Sequence, residues 1–135
     1  MPESIPVVLD SYALLAFLFR EKGYAKVLEL LEQAIDDKRR HIMSAVNWAE
    51  VRYTAERLGG AMHWPAVERR IAGLPIDIIP ADKGLADEAA RFKAKGGISL
   101  ADCFAAALAK RHGLRVCTGD KEFRKVEPEV KILWL

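Results

Sequence analysis

Short, unbroken apolar runs separated by long helical stretches leave few folds open to this chain. Pro6-Val7-Val8-Leu9 is β-branched in its middle and predicts a buried strand ending at Asp10. His41-Ile42-Met43, Ile76 to Ile79 and Leu114 to Thr118 have the same character, and Lys131 to Trp134 reads as an edge strand. Two helical stretches lie between the first and second runs. Ser11 to Phe19 presents Tyr12, Leu15, Leu18 and Phe19 as an apolar face, and Tyr24 to Asp37 turns Val27, Leu28, Leu31 and Ile35 inward. Two more follow the second run: one capped by Ser44 that reaches about Leu58 before Gly59-Gly60, and one from Pro65 to about Ala72. After the third run, Asp82 caps a helix to about Lys95, and Ile98 to His112 forms another with Ser99 as its cap. Gly119-Asp120 turns into a short helical piece around Glu122 to Lys125. Connections of this length between short apolar strands demand crossovers. The expected fold is therefore α/β, a three-layer α/β/α arrangement with a mainly parallel sheet of four to five strands.

With 135 residues, 51% of them hydrophobic and 30% charged, the chain is long enough for a real core and is read as a single domain over 1–135. Cys103 and Cys117 sit in apolar runs and read as small core residues of a reducing compartment. The first apolar run is interrupted by Asp10 and has no basic residue before it, so neither a signal peptide nor a membrane span is expected. The expectation is a cytoplasmic protein with no membrane partner. A net charge of +2 is uninformative about nucleic acid, and Lys38-Arg39-Arg40-His41 reads as a solvated helix end. Setting aside four acids as possible ligands changes this: the 21 basic residues then face 15 acids, a balance that suits a polyanionic substrate.

Those four acids carry the functional reading. Functional groups of a parallel sheet collect beyond the carboxyl ends of its strands. Asp10 follows the first strand there and Asp120 the fourth, while Glu50 sits in the second turn of the helix after the second strand. Asp102 is the one charge in the apolar run of the Ile98 to His112 helix, flanked along it by Ala105, Ala106 and Ala109. Each has a plain local alternative. Asp10 suits an N-cap, Ser99 and Asp102 a capping box, Asp120 a turn after Gly119, and Glu50 a solvated helix face. Taken together the acids are harder to dismiss. Crowded carboxylates repel by ~4 kcal/mol per pair at ~4 Å in an effective dielectric near 20. Such a cluster persists with cations between its members or with raised pKa values. An all-oxygen donor set favours Mg²⁺ or Mn²⁺, and no histidine or cysteine stands at the spacing a zinc site needs. His41, His63 and His112 are scattered and read as surface or interface residues; Ser11 reads as orienting a carboxylate or a water.

Four segments together resemble the signatures of PIN-domain ribonucleases: LDSYALLAFLF at Leu9 to Phe19, the acid in SAVNWAEV, ISLADCFAAALAKRHG, and VCTGDKEF at Val116 to Phe123. In size the chain is similar to the VapC-type toxins of toxin–antitoxin pairs. The resemblance runs from about Val7 to Trp134, and its Glu50 segment is the loosest. It implies a twisted sheet with Asp10, Glu50, Asp102 and Asp120 as metal-binding catalytic acids and Glu122 as a lesser fifth. Thr118 matches the small hydroxyl residue before the last acidic pair, a supporting role it shares with Ser11. The implied activity is Mg²⁺- or Mn²⁺-dependent endoribonuclease cleavage of RNA, with an antitoxin partner and a homodimer. The chemistry is self-consistent, because two divalent ions ~3.5–4 Å apart can activate water and neutralise a leaving oxygen without a serine or histidine.

Other classes fit less well. A haloacid-dehalogenase-like phosphatase needs a second Asp two residues after the first, where Tyr12 stands, and a receiver-like domain needs an acidic pair that does not precede Val7. The remaining alternative is a catalytically silent PIN-like module that binds RNA or protein.

Overall fold

The computed structural model describes residues 4–135; Met1 to Glu3, the first residues of the domain expected over 1–135, lie outside the described residues. Five strands, β1 (Val8–Leu9), β2 (His41–Ser44), β3 (Ile76–Ile79), β4 (Val116–Thr118) and β5 (Ile132–Trp134), form one sheet in the order β3-β2-β1-β4-β5. Every pairing is parallel, so the upper of the expected strand counts is realised. Six α-helices connect them among the described residues: α1 (Ser11–Leu18), α2 (Tyr24–Asp36), α3 (Ala45–Gly59), α4 (Trp64–Ala72), α5 (Lys83–Ala94) and α6 (Leu100–His112). A 3-10 turn at Ala61–His63 follows the Gly59-Gly60 stop, and another covers Lys121–Val126.

The core is divided by the sheet. On one face, Leu14, Leu18, Leu31, Val51, Trp64 and Ile71 from α1 to α4 meet Val7, Leu9, Met43 and Cys117. On the other, Leu85 and Phe92 of α5 and the alanines of α6 meet Val8 and Val116. From Asp102 to Ala109, α6 is buried on every side. Four alanines in that stretch let it lie close to both the sheet and α5, where larger side chains would hold it away. Both free cysteines are buried, as small core residues should be. Among the described residues no helix is long and apolar enough to cross a membrane.

Three expectations change. The buried stripe of α2 is Val27, Leu30, Leu31 and Ala34; Ile35 is 57% exposed. That stripe keeps the i, i+3, i+4, i+7 spacing with a small residue at its end, and Ile35 falls one position beyond it. His63 and His112 are exposed, but His41 is buried. Its Nδ1 accepts from the Val7 N–H at 3.0 Å and its Nε2 faces the Leu30 carbonyl at 2.9 Å, which tethers α2 to the chain entering β1. Tyr12 turns outward at 37% exposure, while Leu15 and Phe19 pack partly buried against the core beside fully buried Leu18.

Strand order decides where function can sit. The chain builds outward from β1 through β2 to β3, and α5 and α6 then carry it back to β4 on the other side of β1. The β1/β4 boundary is the point where strand order reverses, and there the loops diverge to leave a crevice beyond the carboxyl ends.

Candidate active site

At that crevice the register sets Leu9 beside Cys117, so the next residues out are Asp10 on one strand and Thr118 on the other. Asp10 is the N-cap of α1: its Oδ1 accepts from the Ala13 N–H at 2.9 Å. Its Oδ2 accepts from the Thr118 hydroxyl at 2.5 Å, and Thr118 Oγ1 in turn accepts from the Asp120 N–H at 2.9 Å. One hydroxyl thus locks the two acids to each other. Asp120 Oδ1 then accepts from the Glu122 N–H at 2.9 Å, capping the 3-10 turn. The cap and turn readings of Asp10 and Asp120 are therefore both realised.

The box at the start of α6 is only half closed. Ser99 Oγ accepts from the Asp102 N–H at 3.3 Å, but Asp102 Oδ2 is buried with no hydrogen-bond partner. Glu122 Oε2 is orphaned in the same way. Oxygens from Asp102, Asp120 and Glu122 lie within 4.8 Å of one another. Glu122, the lesser candidate from sequence, therefore stands in the tightest acidic triangle. Asp10, Glu50, Asp102 and Asp120 line one recess of about 240 Å³, with Ser11 and Tyr12 at its wall. Glu50 is half-buried and accepts from the Tyr53 hydroxyl at 3.2 Å.

The electrostatics follow from this crowding. Burial pushes the Asp10 carboxyl up to about 7 against the opposing pull of its Thr118 and Ala13 hydrogen bonds, with the charges of Asp120 and Glu50 adding to the rise. Asp102 is also raised, by burial first and then by the Asp120 carboxyl beside it. Crowded acids with no ion-pair partner among the described residues, and with a buried unmet oxygen on Asp102 and on Glu122, are a donor set suited to a hard divalent cation.

Ser11 lines the recess, and its hydroxyl donates to the Asn47 carbonyl at 3.3 Å. Asn47 is the residue that sequence reading passed over. Fully buried, it takes a hydrogen bond from Ser44 Oγ on its Oδ1 at 2.6 Å and donates from Nδ2 to Ser11 Oγ and to the Ala101 carbonyl, at 3.3 and 3.2 Å. It therefore ties together the first turns of α1, α3 and α6, the helices that carry or follow Asp10, Glu50 and Asp102. The available signal was an amide three residues after a serine cap, in an otherwise apolar helix start.

Against known proteins, the PIN domain family model matches residues 7–128. The chain belongs to the PIN-domain family. Among solved structures, this PIN fold is similar to a chain of the VapBC2 complex from Rickettsia felis bound to promoter DNA (TM-score 0.73, 15% identity, 97% of this chain and 99% of that one). It is also similar to a chain of FitAcB from Neisseria gonorrhoeae (TM-score 0.66, 26% identity, 94% and 96%). A third match is VapC20 of Mycobacterium tuberculosis, described as a toxin that cleaves the sarcin-ricin loop (TM-score 0.68, 13% identity, 87% and 92%). Nothing among curated proteins matches the chain.

Proposed function

We propose that this PIN-domain chain is a divalent-metal-dependent endoribonuclease, the toxin of a type II toxin–antitoxin pair, acting in the cytoplasm as a single domain over 1–135. The observation that carries the reading is the unmet pair of buried oxygens, Asp102 Oδ2 and Glu122 Oε2, in a recess whose other walls are also acids. Asp10, Glu50, Asp102 and Asp120, with Glu122, are the residues that would hold Mg²⁺ or Mn²⁺. When bound, such a cation supplies positive charge for the phosphodiester and a water of lowered pKa. The chain's own work is positional. Thr118 fixes the spacing of Asp10 and Asp120, and the α1 N-terminus holds Asp10 with its side chain oriented. Asn47 holds the helices that bring Glu50 and Asp102 to the recess. Likeness to VapBC and FitAB-type complexes supports an antitoxin partner and a homodimer. All four acids are kept, which weighs against a silent binding module.

The test is cleavage of single-stranded or looped RNA by purified protein freed of antitoxin. Cleavage is expected with Mg²⁺ or Mn²⁺ and should stop with EDTA. Asp102→Asn should lower it by a factor of a hundred or more while far-UV circular dichroism stays native. Cleavage that survives chelation, or that ignores Asp102→Asn, overturns the reading.

A further inference from the structure

Tyr12 stands between two recesses. On one side lie the acids; on the other is a second cavity of about 240 Å³ lined by Tyr12, Leu15, Ala16, Glu21 and Lys22. Tyr12, two places after the N-cap of α1 on a face read as apolar, is 37% exposed. Its ring is nevertheless held in place. The far end of it rests on Gly119, where an added methyl would come within 2.3 Å of Cε1 and 2.8 Å of the phenolic oxygen. Gly119 adopts no left-handed backbone, so the absence of a side chain there serves the ring and not the turn. The hydroxyl makes no hydrogen bond among the described residues. An exposed, fixed aromatic at the lip of an acidic recess has little to gain from the recess itself.

A polyanionic strand meeting that recess is repelled by every acid that a cation has not neutralised. Its attachment has to come from beside the site. An aromatic face offers this to any unpaired base, because all bases have a π-face. Lys22, exposed and without an ion-pair partner among the described residues, lines this second recess beside Glu21 and can take the next phosphate along.

We propose that Tyr12 is the platform on which an unpaired base beside the scissile phosphate of single-stranded RNA stacks, with the adjoining Leu15–Lys22 recess taking the neighbouring nucleotide. The inference rests on the nuclease reading above and adds the contact that fixes the substrate. Tyr12 binds and positions; it takes no part in the chemistry.

The experiment compares wild type, Tyr12→Leu, Tyr12→Phe and Gly119→Ala on a short unstructured oligoribonucleotide and on an abasic ribose-phosphate oligomer of equal length, all with Mn²⁺. Tyr12→Leu should raise KM, and the Kd from fluorescence anisotropy, roughly ten-fold or more on the base-bearing strand. The loss should fall on KM and not kcat, Tyr12→Phe should recover most of it, and Gly119→Ala should reproduce it by displacing the ring. On the abasic strand Tyr12→Leu should cost nothing, and its Mn²⁺-induced thermal shift should equal that of wild type, which separates lost stacking from a disturbed acid site. An unchanged KM and Kd for Tyr12→Leu, or an equal loss on both strands, overturns the proposal. So does a variant that binds RNA normally but no longer captures an antitoxin peptide, because the groove then belongs to the protein partner. A wild type that binds the RNA without cutting it refutes the nuclease reading alone, since the anisotropy series still reads Tyr12.

Discussion

Replacing Asp10 by Asn in the metal-free protein should make it more stable, against the usual effect of altering a buried residue. Asp10 is 1% exposed and its carboxyl is pushed from 3.8 to about 7, chiefly by burial. A rise of about three units, at ~1.36 kcal/mol each, sets a ceiling of roughly 4 kcal/mol on what its ionised form costs the fold. Asparagine has nearly the same shape and no charge. It fits less well in one respect. Thr118 donates to Asp10 Oδ2, so an amide nitrogen there must be met by a turned hydroxyl, at a cost of about 1 kcal/mol. The expected gain is then ~2–3 kcal/mol, or roughly 6–12 °C for a domain of this size.

The pH dependence gives the sign a second check. A raised folded pKa means that the contribution is fully present below the unfolded value of 3.8 and is lost as pH rises through about 7. Wild type and Asp10→Asn should therefore melt together near pH 4 and separate up to pH 7–8, where the gap levels off. Mn²⁺ at ~100 times its Kd should close the gap, since it stabilises wild type by ~2.7 kcal/mol, about the size of the variant's gain, and the variant by much less. The assay is thermal unfolding by circular dichroism across this pH range, in EDTA and in Mn²⁺. A variant that melts no higher than wild type in EDTA at pH 8, or a gap that ignores pH, refutes the buried-charge argument.

Two further outcomes are expected. Asn47→Ala removes the acceptor of the Ser44 hydroxyl and the amide donor to Ser11 Oγ and the Ala101 carbonyl, while the backbone of residue 47 still bonds both serines, so it should lose roughly 1–3 kcal/mol and bind Mn²⁺ more weakly; melting and calorimetric titration would report both. His41 accepts from Val7 only when neutral, and burial lowers its pKa below 6.5, so its contribution is present above pH 6.5 and is lost as pH falls below that value, by up to ~1.4 kcal/mol per unit. His41→Gln, melted against wild type between pH 5 and 7.5, should show that difference shrinking toward acid.

Much of this was legible because it rested on repeating local rules. Strand runs, glycine stops and the Ser44, Asp82 and Ser99 caps fell where the sequence placed them, since each depends on neighbours a few residues away. What escaped depended on contacts across the fold. His41 looked like one more residue of a basic helix end, and only the approach of Val7 and Leu30 makes it a buried link. Asn47 looked like an ordinary helix residue until α1 and α6 converged on it. Tyr12 falls in an apolar stripe by spacing, but its partner is the backbone of Gly119, far away in sequence.

The even balance between capping and catalytic readings has a physical origin. Asp10 and Asp120 both cap a helical turn and both face the recess. These roles support each other. A cap places a carboxylate against backbone N–H groups and the positive end of the helix dipole, which fixes its angle before any cation arrives. Asp102 shows what happens without that support: it sits in the first turn of α6, yet Ser99 takes the capping bond and leaves its Oδ2 unmet. The capped acids are thus the rigid part of the site, and Asp102 and Glu122 are the part with binding capacity to spare. Local sequence signals therefore could not separate cap from ligand. Only the meeting of β1, β4 and α6 at one edge, which no single segment encodes, brings the acids to one recess.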